Sequence, residues 1–159
     1  MASAIAKALI FTPLLPTSDF SEFMSKLETG DVRARFGRRV ETEDLPPMLA
    51  PRIPDCRAIG AWKGRSLVGV GMLAKLATGQ CEVALIVRSD MKRRRIGTTL
   101  VSYAFAEARK LGGREVVAHV RSDNTAALGL VRSLGFMAVG GPGIELFYVA
   151  RLSMVQALG

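Results

Sequence analysis

Between Met91 and Gly97 the chain reads Met-Lys-Arg-Arg-Arg-Ile-Gly, and four cations ahead of a glycine are its clearest chemical signal. The apolar run Val83 to Val87 precedes them and a long amphipathic segment follows, so they fall in a turn between a strand and a helix. The first amides of a helix lack intrahelical acceptors, and the aligned peptide dipoles add partial positive charge at that end. Those amides with Lys92, Arg93, Arg94 and Arg95 make an anion site suited to phosphate. A second polar turn, Arg121-Ser-Asp-Asn124, opens another helix and places Asn124 as its N-cap. Glu82 stands in an apolar strand, where a glutamate ordinarily lies exposed near the strand start.

The other reactive residue types offer less. Cys56 and Cys81 lack metal-ligand spacing and His119 is the only histidine, which excludes a zinc site. Cys81 has no activating partner in the sequence, so a role as covalent nucleophile is disfavoured. His119 lies in a strand and reads as a neutral, hydrogen-bonded residue rather than a catalytic one. Trp62, Phe11 and Tyr148 read as core or sheet-face residues.

These residues need a scaffold, and periodicity supplies one. Leu9 to Leu15 reads as a first strand, confined to an edge or a strand end by Pro13. Pro16 to Asp19 forms a turn with an N-cap candidate, and Phe20, Phe23, Met24 and Leu27 predict a helix from about Ser18 to Leu27. Asp31 to Phe36 suggests a further helical turn, and Thr42-Glu-Asp-Leu45 a cap with a short helix. Pro46, Pro47, Pro51 and Pro54 then break the pattern. Ala58 to Trp62 and Leu67 to Leu73, separated by Lys63-Gly-Arg-Ser66, read as a hairpin. After a turn at Ala77 to Gln80, Glu82 to Val87 is the third strand of an antiparallel meander. Val83, Leu85 and Val87 share one of its faces, and Glu82, Ala84 and Ile86 the other.

Ile96, Leu100, Tyr103, Ala104, Ala108 and Leu111 form an apolar stripe that predicts a helix ended by Gly112-Gly113. Glu115 to Val120 follows as a strand, which a helical crossover sets parallel to the Glu82 strand. A helix over Thr125 to Ser133 and strands at Phe136 to Val139 and Ile144 to Leu152 complete the chain. The expected fold is α/β (α+β), a mixed sheet with an antiparallel N-terminal half, a splayed parallel pair and flanking helices. Such a junction is a common ligand site.

Composition bounds the function. The 159 residues, 49% hydrophobic and 23% charged, describe one globular domain over residues 1–159. The stretch Ala2 to Leu15 is broken by Lys7, Thr12 and Pro13, so neither a membrane span nor a signal peptide is expected and the protein reads as cytoplasmic. A net charge of +8 points to an acidic partner. Specific nucleic-acid binding would rest on that charge and on Lys92 to Arg95 alone, without a recognition-helix or aromatic RNA-binding pattern.

Cys81 to Leu100, continued by Ala118-His-Val-Arg-Ser-Asp-Asn-Thr-Ala-Ala and Leu134-Gly-Phe136, resembles the acetyl-CoA-binding core of the GNAT superfamily of N-acetyltransferases. More narrowly, Glu82 with Val87-Arg-Ser-Asp-Met-Lys92 and Asp31-Val-Arg-Ala-Arg-Phe36 is similar to the catalytic domain of the bacterial Pat-type protein lysine acetyltransferases. The resemblance implies acetyl-CoA as co-substrate, with Lys92, Arg93, Arg94, Arg95, Ile96, Gly97, Thr98 and Thr99 around its pyrophosphate. It implies Leu85, Ile86, Val87 and Asn124 along its pantetheine arm. Glu82 matches the general base of the Pat-type branch, acting on a primary amine that is mostly protonated near pH 7. Val131 stands where many relatives carry a tyrosine general acid. Arg95 replaces the first motif glycine; a positive φ there would cost a side chain about 1 kcal/mol or more.

The acceptor expected on this basis is a protein lysine, with a small amine as the alternative, and a homodimer is one option for the assembly. A noncatalytic acyl-CoA-binding regulatory module is the contrasting reading.

Overall fold

The computed structural model describes residues 8–15, 18–36, 39–49, 54–76 and 79–155. Seven strands, β1 Leu9–Leu14, β2 Cys56–Lys63, β3 Ser66–Lys75, β4 Gln80–Val87, β5 Glu115–Arg121, β6 Met137–Val139 and β7 Glu145–Arg151, make one sheet. Their order is β1-β2-β3-β4-β5-β7-β6. Only the β4–β5 ladder is parallel among these pairings. Pro13 lies in the edge strand β1, where its missing N–H breaks no central ladder. The β2–β3 hairpin forms as its sequence indicates, with a register shift at Ala61/Trp62.

The 15-residue helix α4, Ile96–Lys110, crosses one face. Its buried stripe is Ile96, Leu100, Val101, Ala104, Phe105 and Ala108. Tyr103, expected in that stripe, is 44% exposed and stacks on Phe11 with ring centroids 5.4 Å apart. Gly71 lets α4 come close, because a Cβ there would sit 3.3 Å from Leu100 Cβ. Helix α5, Thr125–Ser133, packs with α4 over β4, β5 and β7 through Leu128 and Val131, joined by Phe136 just beyond its end.

The opposite face carries three short helices, α1 Ser21–Ser25, α2 Thr29–Phe36 and α3 Leu45–Leu49. Phe20, Phe23, Val32, Leu45 and Leu49 bury there against Val70, Met72 and Ile86. The expected Ser18–Leu27 helix is thus only five residues long. Asp19 does accept from Ser21 N at 2.9 Å, but Phe20 precedes the helix without a side-chain cap. Pro46 and Pro47 do not break the chain; they sit in the first turn of α3, where an N–H would have no helical acceptor. Pro16, Pro51, Ala77 and Thr78, also read as turn or breaker positions, lie outside the described residues.

Candidate active site

The parallel ladder is short. It pairs Gln80, Cys81 and Glu82 with Glu115, Val116 and Val117 and then stops, although β4 continues to Val87 and β5 to Arg121. On its other side β4 stays paired with β3 through Val87. The two parallel strands therefore separate beyond Glu82, leaving the β4 edge from Val83 to Val87 open toward a cleft of about 1050 Å³. Leu85, Ile86 and Val87 line one wall and Ala118, His119 and Val120 the other. An extended molecule can add to such an edge as a pseudo-strand, using the backbone donors and acceptors that β5 leaves unpaired.

At one end the cleft meets the basic turn. A 3₁₀ turn over Ser89–Met91 leads into Lys92, and Met91 is buried beneath it. Arg93 and Arg95 both adopt left-handed backbone, with φ of 62° and 61°. The first helical bond of α4 is donated by Thr99 N to Arg95 O at 3.1 Å. Among the described residues the amides from Arg93 to Thr98 have no acceptor, so donors and helix dipole converge there. Gly97 faces Leu130, whose Cδ2 would be 3.1 Å from an added Cβ, so the glycine keeps this mouth narrow but open.

Lys92, Arg93, Arg95, Ile96, Gly97 and Thr98 line the cleft. Arg94 and Thr99 do not; Thr99 turns its hydroxyl back onto Arg95 O at 2.9 Å. Lys92 is held by buried Asp31 of α2, with Nζ 3.0 Å from Oδ1. Ser89 Oγ also donates to Asp31 Oδ1 at 2.6 Å. Burial pushes the Asp31 carboxyl up, but the hydrogen bonds from Ser89 and Glu28 and the Lys92 ammonium outweigh it and hold it below the usual range. Asp31 thereby ties α2 to the basic turn. Asn124 caps α5, accepting from Ala127 N at 3.1 Å, and also lines the cleft.

At the other end stands Glu82. Its side chain is 38% exposed, and His119 Nδ1 lies 3.3 Å from its Oε1. Parallel partners project to the same face, so Glu82, Val117 and His119 share one side of the sheet. His119 is the hydrogen-bonded strand residue its sequence suggests; its partner is the candidate base, and both line the cleft. No local signal in the sequence pairs them, because the register of β4 against β5 is set across a helical crossover.

Arg35, on the last turn of α2, lines the same end. Its guanidinium stacks on the Phe36 ring at 4.5 Å, and its Nε is buried without a hydrogen-bond partner. Burial, partly countered by Glu82, lowers the guanidinium pKa to about 10. Arg35 stands in the stretch from Asp31 to Phe36, and nothing local in the sequence marks it as a cleft residue. Cys81 is fully buried, which pushes its thiol pKa up and leaves it unsuited to nucleophilic chemistry. Tyr148 is buried, with its hydroxyl 3.5 Å from Arg132 Nη2. Among the described residues no cluster of metal-ligating side chains forms, and no helix is long and apolar enough to cross a membrane.

Comparison with known proteins places this geometry. The sequence model of the acetyltransferase (GNAT) family matches residues 23–136, which include the opened strand pair and the basic turn. A search of curated protein sequences returns no match. Among solved structures, the GNAT domain of S. lividans PAT superposes with a TM-score of 0.78 at 16% identity, covering 89% of each chain. The Salmonella typhimurium protein yncA, solved with its cofactor acetyl-CoA, superposes with a TM-score of 0.70 at 18% identity over 91% of this chain and 94% of that one. A ribosomal-protein-alanine N-acetyltransferase from Brucella melitensis gives 0.70 at 19% identity over 89% and 99%.

Proposed function

This chain belongs to the acetyltransferase (GNAT) family, and from that premise we propose that it transfers an acetyl group from acetyl-CoA to the side-chain amine of a protein lysine, in the cytoplasm, with Glu82 as general base. The observation that carries the reading is a single cleft joining the unpartnered amides of the basic turn to Glu82 through the opened β4–β5 edge. Its donors fit the group: six amides and the Arg93 and Arg95 side chains for a pyrophosphate, then an apolar, strand-like wall for an extended arm.

When bound, acetyl-CoA supplies an activated thioester carbonyl. The chain's own residues do the rest. Arg93, Arg95 and the amides through Thr98 hold the phosphates, while Lys92, already neutralised by Asp31, fixes the shape of the turn. Backbone groups of Leu85, Ile86 and Val87 hold the arm and orient the carbonyl. Glu82 takes a proton from the incoming ammonium, directly or through water, because the protonated amine is not a nucleophile. His119 Nδ1–H, donating to Glu82 Oε1, orients the carboxylate and leaves its other oxygen toward the acceptor. The new amide bond forms as the thioester C–S bond breaks. The resemblance puts Val131 where many relatives carry a tyrosine acid, so the leaving sulfur would be protonated by solvent, which also takes up the second proton that the acceptor amine sheds.

The test is acetyl transfer from acetyl-CoA to lysine peptides, monitored by release of the free thiol, with Glu82→Gln alongside. Turnover by the wild type and its collapse in the variant support the reading. Full turnover by Glu82→Gln removes the base assignment, and transfer confined to small polyamines removes the protein-lysine acceptor.

A further inference from the structure

Arg35 is not explained by the chemistry above. It is half-buried and lines the cleft from α2, and its Nε is buried with no hydrogen-bond partner, whereas a desolvated donor ordinarily has one. Among the described residues no acid makes a hydrogen bond or ion pair with Arg35, although Glu82 is close enough to offset part of its desolvation. Asp31, one turn earlier on the same helix, is taken by Lys92, Ser89 and Glu28. Glu82 Oε1 faces His119 and makes no hydrogen bond to Arg35. The Phe36 ring covers one face of the guanidinium, whose donors point outward in its plane.

We propose that Arg35 is the specificity residue of the acceptor site and binds a carboxylate carried by the amine substrate, so that the preferred acceptor is an amine with a carboxylate close by. The planar donor fork matches a carboxylate in two-point geometry, and a partly desolvated site strengthens that contact. A phosphate fits worse, because its second charge would meet Glu82 on the same face. The carboxylate has two sources: an acidic residue flanking an acceptor lysine, or the carboxylate of a free amino acid. The inference rests on the reading of Glu82 as the acceptor-side base.

Two matched pairs of acceptors test it. One is a lysine peptide with glutamate or glutamine beside the lysine; the other is free lysine against cadaverine, which differ only by the carboxylate. Wild-type protein is expected to prefer the acidic member of at least one pair by about 10- to 100-fold in kcat/KM, mainly through KM. The preference should fall to about one in Arg35→Met and be partly retained in Arg35→Lys. Which pair shows it identifies the source.

Binding of the same molecules to the coenzyme A-loaded protein by calorimetry reads the preference without turnover. Binding preference without transfer would sink the proposed function and leave this inference standing. Transfer or binding with no acidic preference in wild type, or a preference that survives in Arg35→Met, overturns it.

Discussion

Replacing Arg95 by glycine should move stability and cofactor affinity in opposite directions. Arg95 sits immediately before α4 with φ 61° and ψ 18°, and its exposed side chain makes no hydrogen bond or ion pair with another described residue. The stability change therefore comes from the backbone alone. Left-handed backbone costs a side-chain-bearing residue about 1–2 kcal/mol, which glycine avoids. Glycine also loosens the unfolded chain, taking back about 0.4–1 kcal/mol. The net expectation is a gain of about 0.5–1 kcal/mol in urea unfolding at pH 7.

Binding should respond differently. Arg95 lines the cleft where the amides from Arg93 to Thr98 converge, so it contributes a cation to a bound pyrophosphate. Because the site is exposed and screened, that contact is worth about 1 kcal/mol, a factor of about 5 in coenzyme A affinity by calorimetry. The loss should shrink as salt is raised. A variant that binds coenzyme A more tightly would show that the arginine obstructs the turn. One that unfolds more easily would refute the strain estimate.

Other substitutions probe the remaining parts of the site. Glu82→Gln should lower kcat by about 10²–10⁴ while leaving coenzyme A affinity within about twofold, read by thiol release and calorimetry. Arg35→Met should stabilise the protein at pH 7 by about 1–2 kcal/mol in urea unfolding. Lowering a guanidinium pKa to about 10 is worth roughly 3 kcal/mol against folding, and loss of the Phe36 contact takes back about 1. Below pH 10 both folded and unfolded states are protonated, so this penalty is constant; above pH 10 it is relieved as the folded state alone releases the proton. Asp31 has the opposite dependence. Its folded pKa lies below the usual value, so its contribution is present above the ordinary carboxylate range and is lost as pH falls through the folded pKa. Asp31→Asn should be less stable at pH 7, and the gap to wild type should narrow below about pH 4 in acid unfolding.

Much of this molecule is written locally. The stripe from Ile96 to Ala108 places α4, Asn124 caps α5, and the Lys63–Ser66 turn closes the β2–β3 hairpin, each through contacts a few residues apart. The basic turn was equally legible, because strand, cations and glycine are consecutive. Where local signals were weaker the reading held only in outline. The helical turn from Asp31 to Phe36 and the short helix after Thr42 are present. The helix expected from Ser18 to Leu27 spans only Ser21–Ser25, and Pro46 and Pro47 lie inside a helix instead of breaking the chain. The five-residue α1 and the proline-bearing α3 exist because Phe23, Leu45 and Leu49 bury against the sheet, not because their own propensities suffice.

The sequence by itself thus determined the strand–turn–helix that offers an anion site and the family pattern around it. Only the tertiary structure decided which side chains meet across the cleft. It sets His119 3.3 Å from Glu82, gives Lys92 to Asp31 across 61 positions of chain, and leaves Arg35 Nε buried without a hydrogen bond. The reason is geometric. Where β4 and β5 part, and how α2 lies across them, follow from sheet twist, crossover length and packing of distant apolar faces. No window of neighbouring residues contains those quantities.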